Sequence, residues 1–360
     1  MDHLAGIRRA LQMLVLMGLF GTAYFAKDLL LPVLLGFLLA LTLSPVARGL
    51  NRIGVPHPVS AVLLIGATTL AVVTVIIFSA GTVAGWADEI PEMGAEIQRK
   101  LRGVVQTVET VREASEEVEK IGEGKPSRVQ EVVIKQPSLL DSAMDTATRI
   151  GSTTAVTLIL ALFLLASGDM FYTKLVKSIN TLSGKKRALS AVYDVERRVS
   201  RYLLTITLIN AGLGVSIGAY LTALGLESGY VWGIAAFLLN FLPYIGGFAG
   251  SILVGAYSIV AFDSLSYAIL APIGYQLLTG IEGQFVTPFL VGRRLELNTV
   301  AVFLTVVFWG WLWGIAGALV AVPFLVVFKV VCENFETLET VGHFLSKSDD
   351  FERPSDKSQA

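Results

Sequence analysis

Asn240, Pro243, Tyr244, Gly246 and Gly247 fall within eight positions of one another in the stretch FLLNFLPYIGG, and their surroundings are apolar from Tyr230 to Val260. These residue types suit hydrogen bonding rather than bond-making chemistry. Asn240 brings two amide donors and an acceptor, and Tyr244 a hydroxyl. Pro243 lacks an N–H and frees an upstream carbonyl; Gly246 and Gly247 permit a turn and close approach to the backbone. Together they could expose main-chain and side-chain polar groups to a small polar molecule. A second group is Glu282, Thr287 and Pro288 in EGQFVTP. An ionisable group inside an apolar segment is by default a functional site, so Glu282 could bind a cation or a proton. As a helix-end carboxylate it could instead pair with Arg293 or Arg294. A third group is WGWLWGIAG at 309–317, where Gly314 and Gly317 interrupt another apolar run. Asn210 and Gln276 read as interhelical hydrogen-bond partners rather than ligands, and Gly214/Gly218 and Gly246/Gly250 as small-xxx-small packing pairs.

Other chemistries find no support. His3, His57 and His343 are scattered and make no metal set, the single Cys332 excludes an internal disulfide, and no HExxH, GxSxG or P-loop occurs. No nucleophile–base pair lies within an apolar segment, which argues against an intramembrane enzyme and implies no cofactor. No basic stripe interleaved with aromatics marks a nucleic-acid partner.

The elements that must position these groups are membrane spans. Of 360 residues, 54% are hydrophobic and 16% charged, against about 25% charged in a soluble domain; mean hydropathy is +0.67. Apolar runs at 11–26, 29–47, 59–86, 150–168, 203–226, 230–261, 265–290 and 298–331 approach or exceed the roughly 20 residues that cross a bilayer. The expected fold is therefore an all-α polytopic membrane protein with about eight hydrophobic segments. Residues 1–86 form the N-terminal transmembrane helices. Residues 87–148 form a polar, amphipathic helical segment outside the cytoplasm. Residues 149–335 form a core transport region, and 336–360 a disordered cytoplasmic tail.

Short-loop Lys and Arg set orientation. Arg8, Arg9, Arg48 and Arg52 place the N-terminus inside, and residues 174–201, with eight Lys and Arg, return inside. Full spans throughout would then leave Arg293 and Arg294 outside. Making 230–261 and 298–331 re-entrant hairpins, turning at LPYIGG and WGIAG, removes the conflict and keeps the C-terminus cytoplasmic. It also makes two inverted repeats, each a helix plus a broken hairpin, which is a transporter architecture. The rival for LPYIGG is a proline kink in a packed full span.

Two segments outside the apolar runs carry their own patterns. Ile97, Leu101, Val104, Val108, Val111 and Val118 fall on an a/d seam with Ser115 in one slot, suited to packing on its own chain or on a second copy in a homo-oligomer. Leu189, Val192, Val195, Val199 and Tyr202 share a face of a basic amphipathic helix, expected to lie on the anionic cytoplasmic leaflet.

Several stretches resemble the autoinducer-2 exporter family of bacterial membrane proteins, the PerM-like permeases. They are FLLASGD (163–169), LGLESGYVWGIAAFLLNFLPYIGG (224–247), EGQFVTPFLVGRRLELNTV (282–300) and WGIAGALVAVP (313–323). The resemblance implies a multi-pass transporter of the bacterial inner membrane that exports a small polar signalling molecule. A cation/proton antiporter titrating at Glu282 and a non-transporting oligomeric scaffold built on the 97–118 seam are the alternatives. The expected solute path comprises Asn240, Pro243, Tyr244, Gly246, Gly247, Glu282, Thr287, Pro288, Gly314 and Gly317, with Glu282, Arg293 and Arg294 as coupling groups and no metal.

The orientation is testable directly. In a Cys332→Ser background, a cysteine replacing Glu116 should react with an impermeant thiol reagent in intact cells; labelling only after lysis would reverse the topology.

Overall fold

The computed structural model describes residues 2–113, 139–168, 170, 182–243, 245–291, 297–334 and 345. Among these the protein is helical without a strand. In chain order the helices are α1 (Asp2–Phe25), α2 (Lys27–Arg52), α3 (His57–Glu113), α4 (Leu139–Ser167), α5 (Leu182–Ala223), α6 (Gly229–Leu239), α7 (Ile245–Ala261), α8 (Leu265–Ala268), α9 (Leu270–Ile281), α10 (Thr287–Val291) and α11 (Thr299–Asn334). A π-helical turn, Glu282–Val286, joins α9 to α10. Segments Lys27–Arg52, His57–Trp86, Val192–Ala223 and Thr299–Cys332 are long and apolar enough to cross a bilayer, and Met13–Phe25, Gly151–Ser167, Gly229–Leu239 and Ile245–Ala261 are shorter apolar helices. Large apolar side chains such as Leu63, Leu70, Ile77 and Phe78 on α3 remain exposed. In water that surface would be prohibitive; in lipid it is the expected exterior. The protein is a polytopic membrane protein.

The N-terminal spans pack as a small-residue bundle. Ala40 and Ala47 of α2, Ala61 and Ile65 of α3, and Ala161 and Leu165 of α4 form one buried cluster. A second cluster joins Leu213, Ile217 and Leu221 of α5, Trp232 and Ala236 of α6, Val254 of α7, and Ala271 and Tyr275 of α9. The bundle has two distinct ends. At one, the Arg48 guanidinium donates to both oxygens of the buried Glu196 carboxylate at 2.5 Å, and Ser44 and Ser200 also donate to it. Asn51 meets the His57 ring at 2.7 Å beside them. At the other end the Tyr230 hydroxyl donates to the Phe78 carbonyl at 3.0 Å, and Thr82 lies 3.4 Å from Ser228. From His57 to Phe78, α3 rises about 32 Å at 1.5 Å per residue, close to the roughly 30 Å hydrocarbon thickness.

The stretch 230–261 is a hairpin. The Trp232 and Tyr257 rings stand 5.5 Å apart although 25 positions separate them, and Trp86 stacks on Trp232 at 4.9 Å. Lys100, further along α3, caps the C-terminus of α7 through the carbonyls of Ile259, Val260 and Phe262, as a cation suits the negative end of a helix. The start of α6 and the finish of α7 therefore lie at one end of the bundle. At 1.5 Å per residue the arms reach about 16 and 26 Å, so neither spans the full hydrocarbon core. The stretch 298–331 also folds back. Gly314 takes φ 68° and ψ −149° within α11, a conformation only glycine adopts freely. Beyond it Phe324 returns to within 4.7 Å of Trp309, residues that a straight helix would hold about 22 Å apart.

One expectation changes. The amphipathic segment is not a separate helix, because α5 runs unbroken from Leu182 to Ala223. Its apolar face is covered by protein: Val199 and Leu203 pack with Leu38 and Leu41 of α2 and with Val320, Val326 and Val330 of α11. Helix α3 continues through the part of the seam from Ile97 to Val111, while Ser115 and Val118 lie outside the described residues, as do Asp169 and the tail beyond Leu345.

The crossing of α5 over α6 rests on glycines. A Cβ on Gly214 would lie 2.6 Å from the Gly233 carbonyl, and one on Gly233 2.5 Å from the Gly214 carbonyl. Gly233→Val should therefore force the two helices apart and destabilise the protein by about 1–3 kcal/mol. Gly212→Ala, where nothing lies within 4 Å, should be neutral or slightly stabilising. Equal thermal denaturation of the two purified variants would rule out the close crossing.

Candidate functional site

The glycine seam leads to the site. Asn210, Gly214 and Gly218 stand at successive i, i+4 positions on one face of α5, so the tight crossing also fixes where Asn210 sits against the end of α6. There the helix stops. The N–H groups of Phe241 and Leu242 bond back to Leu238 and Leu239, tightening the last turn. Pro243 has no N–H to continue the ladder. Ile245 N–H then bonds to Pro243 and Gly246 N–H to Leu242 as α7 begins. Any Cβ on Gly246 would collide with the Leu239 carbonyl, so the first turn of α7 seats directly on the last turn of α6.

The break departs from its expected role. Every described N–H from Asn240 to Gly246 already has a backbone partner, so the break does not hold out a row of free donors. What it presents is the Asn240 side chain, which donates from Nδ2 to Asn210 Oδ1 at 2.8 Å and, at 3.4 Å, to Glu282 Oε2. Thr287 donates to the other oxygen of Glu282. Four polar side chains thus converge, Asn210 buried and Asn240, Glu282 and Thr287 half-buried beside it.

Glu282 opens the π-turn, and Pro288 accounts for that turn. Pro288 cannot donate to the carbonyl of Gln284, and its ring crowds that carbonyl. Widening the helix by one residue over Glu282–Val286 relieves the conflict. The wider turn brings Thr287 onto the carboxylate of Glu282 and aims that carboxylate at Asn240; π-turns recur at functional sites.

One atom in the cluster is unsatisfied. Asn210 is 1% exposed, its Oδ1 accepts from Asn240, and its Nδ2 has no hydrogen-bond partner. A buried amide without a partner costs about 1–3 kcal/mol, a penalty that a bound acceptor would remove.

Of the residues picked out by type and spacing, Asn240, Glu282 and Thr287 meet here. Gly246 and Gly247 form the seat behind them, the latter with its Cα facing the Thr279 side chain. Pro243 is half-buried in the turn and Pro288 is exposed. Gly314 and Gly317 lie apart, in the reversal of the second hairpin, where Gly317 packs against Trp309 and Trp313. The two hairpins still touch through apolar groups: Leu242 of the break shares a buried cluster with Trp309 and Leu312. Tyr244, Arg293 and Arg294 lie outside the described residues. Asn210 is the member that reasoning from residue types sets aside. Its one signal is an amide one turn ahead of a glycine pair on an apolar face, and a packing hydrogen bond explains that equally well.

A family model described as "AI-2E family transporter" matches residues 13–337. "AI-2 transport protein TqsA" of Escherichia coli (strain K12) is 25% identical over 327 residues, covering 89% of this chain and 90% of its own length. YhhT of the same strain, described in its name only as a transport protein, is 23% identical over 331 residues and 91% of each chain. A transport protein of Borreliella burgdorferi is 28% identical over 199 residues, 55% of each chain.

The shared bond between Asn210 and Asn240 has a measurable signature. Asn240→Ala should strand Asn210 Oδ1 and lower stability by about 1–3 kcal/mol. The double change with Asn210→Ala should cost less than the sum of the two single changes, by about 0.5–1.5 kcal/mol. Strictly additive losses in a denaturation series would show that the two amides do not act as a pair.

Proposed function

This chain belongs to the AI-2E family of transporters, and on that premise we propose that it carries a small polar solute outward across the bacterial inner membrane, holding it against Asn210, Asn240, Glu282 and Thr287. The observation that carries this reading is the unpartnered Nδ2 of buried Asn210 beside a carboxylate and a second amide. The site offers one open donor and a cluster of acceptors, which suits a hydroxyl- or carbonyl-bearing solute. A relative named for AI-2 transport supports a signalling molecule of that kind as cargo. The hairpin backbone supplies support rather than ligands, because its described N–H groups are already paired. Alternating access would move the first hairpin or the α9–α10 rod relative to α5, opening the cluster to each side in turn.

The same reading sets the termini in the cytoplasm and Glu227 and Asp263 outside, with the seam on α3 as the contact between protomers of a homo-oligomer. A second reading, a cation/proton antiporter, draws on one observation: the Glu282 carboxylate accepts from both Asn240 and Thr287, an arrangement that could equally frame a bound cation.

Purified protein in sealed vesicles separates the two. A panel of small polar metabolites, including autoinducer-2, should show solute flux that Asn210→Ala weakens by about three- to tenfold in apparent affinity, the worth of one neutral hydrogen bond. Imposed sodium and pH gradients should persist. Gradient dissipation that Glu282→Gln abolishes, without flux of any solute in the panel, would replace the exporter with the antiporter.

A further inference from the structure

A separate feature lies at the Arg48–Glu196 end of the bundle, away from the cargo cluster. A cavity of about 570 Å³ opens there between the last turns of α2 and the adjoining half of α5, lined by Arg48, Arg52, Arg197 and Arg201, with Leu204 and Leu208 toward the bilayer side. Two carboxylates also line it, Asp194 and Glu196. Glu196 is committed to Arg48 and two serine hydroxyls, and Asp194 lies 4.0 Å from Arg198, outside the cavity. Arg52, Arg197 and Arg201 make no ion pair among the described residues and are exposed. Four guanidiniums against two carboxylates leave the lining with a net charge of +2 around a space large enough for a phosphate headgroup.

From these observations we propose that the cavity is a binding site for one anionic phospholipid. The charge alone would accept any phosphate. The wall decides the source: Leu204 and Leu208 stand one turn apart on the same face of α5, and Leu208 is 63% exposed, so the cavity floor continues into the apolar outer surface. An acyl chain can follow that line away from the arginines, whereas a free phosphate gains nothing from it. Guanidiniums suit the phosphodiester by forked hydrogen bonding, and basic pockets between transmembrane helices on the cytoplasmic side bind anionic headgroups. The orientation reading places this end in the cytoplasm. Although the apolar face of α5 is covered by α2 and α11, its basic face would still engage the leaflet, through one ordered lipid wedged between α2 and α5. Such a lipid would brace the junction that the Arg48–Glu196 pair already ties. The proposal does not depend on which solute the transporter moves.

Delipidated full-length protein titrated with phosphatidylglycerol, phosphatidylcholine of the same chain length, and glycerol 3-phosphate, each read by native mass spectrometry, tests the site. Phosphatidylglycerol should saturate at one copy per chain and be retained well above the other two. Replacing Arg197 and Arg201 together with glutamine should weaken retention by about 25-fold, about fivefold per basic residue near the headgroup. The corresponding lysine changes, which keep the charge but lose the fork, should retain more affinity than the glutamine changes and less than the native arginines, and Arg198→Gln, outside the cavity on the same helix, should change it less than twofold. Equal loss in the Arg198→Gln protein, or equal retention of phosphatidylcholine, would overturn the site. Binding of glycerol 3-phosphate as tight as that of the lipid would make it a soluble-anion site and overturn the lipid assignment.

Discussion

Hydrocarbon offers no partner to a backbone N–H or C=O, and each unpaired group there costs several kcal/mol. The described irregularities of the backbone are shaped by that penalty. At the first break, α6 tightens its final hydrogen bonds, Pro243 occupies a position without a donor, and α7 restarts against the Leu239 carbonyl, so the described N–H groups remain paired. At the second, one glycine in a conformation closed to other residues reverses the chain. At Pro288 the helix widens to a π-turn instead of breaking. All three devices let a chain bend inside lipid with few stranded polar groups.

Because the backbone is satisfied, the one buried amide left open near the break stands out. Asn210 Nδ2 lacks a partner in a cluster whose other members bond among themselves. The same economy explains the glycine crossing. Lipid tails are as apolar as leucine, so helices in a bilayer gain little from burying apolar surface and instead associate where small residues let backbones touch. Gly214 and Gly233 provide that contact, and the asparagine one turn away is carried with it to the end of α6. Packing and site thus share one seam. The opposite end of the bundle is tied differently, by a charge pair between Arg48 and the buried Glu196. Such pairs belong near the headgroup region, where water and lipid phosphates moderate the cost of the charges.

Much of this is legible in the residues. Apolar runs mark the spans, and the short-loop arginines are inconsistent with a full span at 230–261, so charge placement alone asks for a hairpin there. The break motif points to Asn240, and an ionisable residue in an apolar run points to Glu282. Less legible is the role of each group. The break resembles a source of free backbone donors, yet local tightening satisfies them. The basic helix from 185 resembles a separate surface element, yet it continues into a span, because its apolar face meets α2 and α11 rather than lipid.

What the sequence by itself determined is whatever depends on local composition: which segments enter lipid, where the helical ladder must fail, and which residues there can hydrogen-bond. What only the tertiary structure decided is which of those groups meet. Asn240 stands 30 positions from Asn210 and 42 from Glu282, and nothing in their neighbourhoods along the chain requires the three to converge. Their meeting depends on the depth of the Gly214–Gly233 crossing, the extra residue in the π-turn and the fold-back at Pro243. Each of these is a geometric consequence of helices packing against one another, and a one-dimensional pattern of residue types does not carry it.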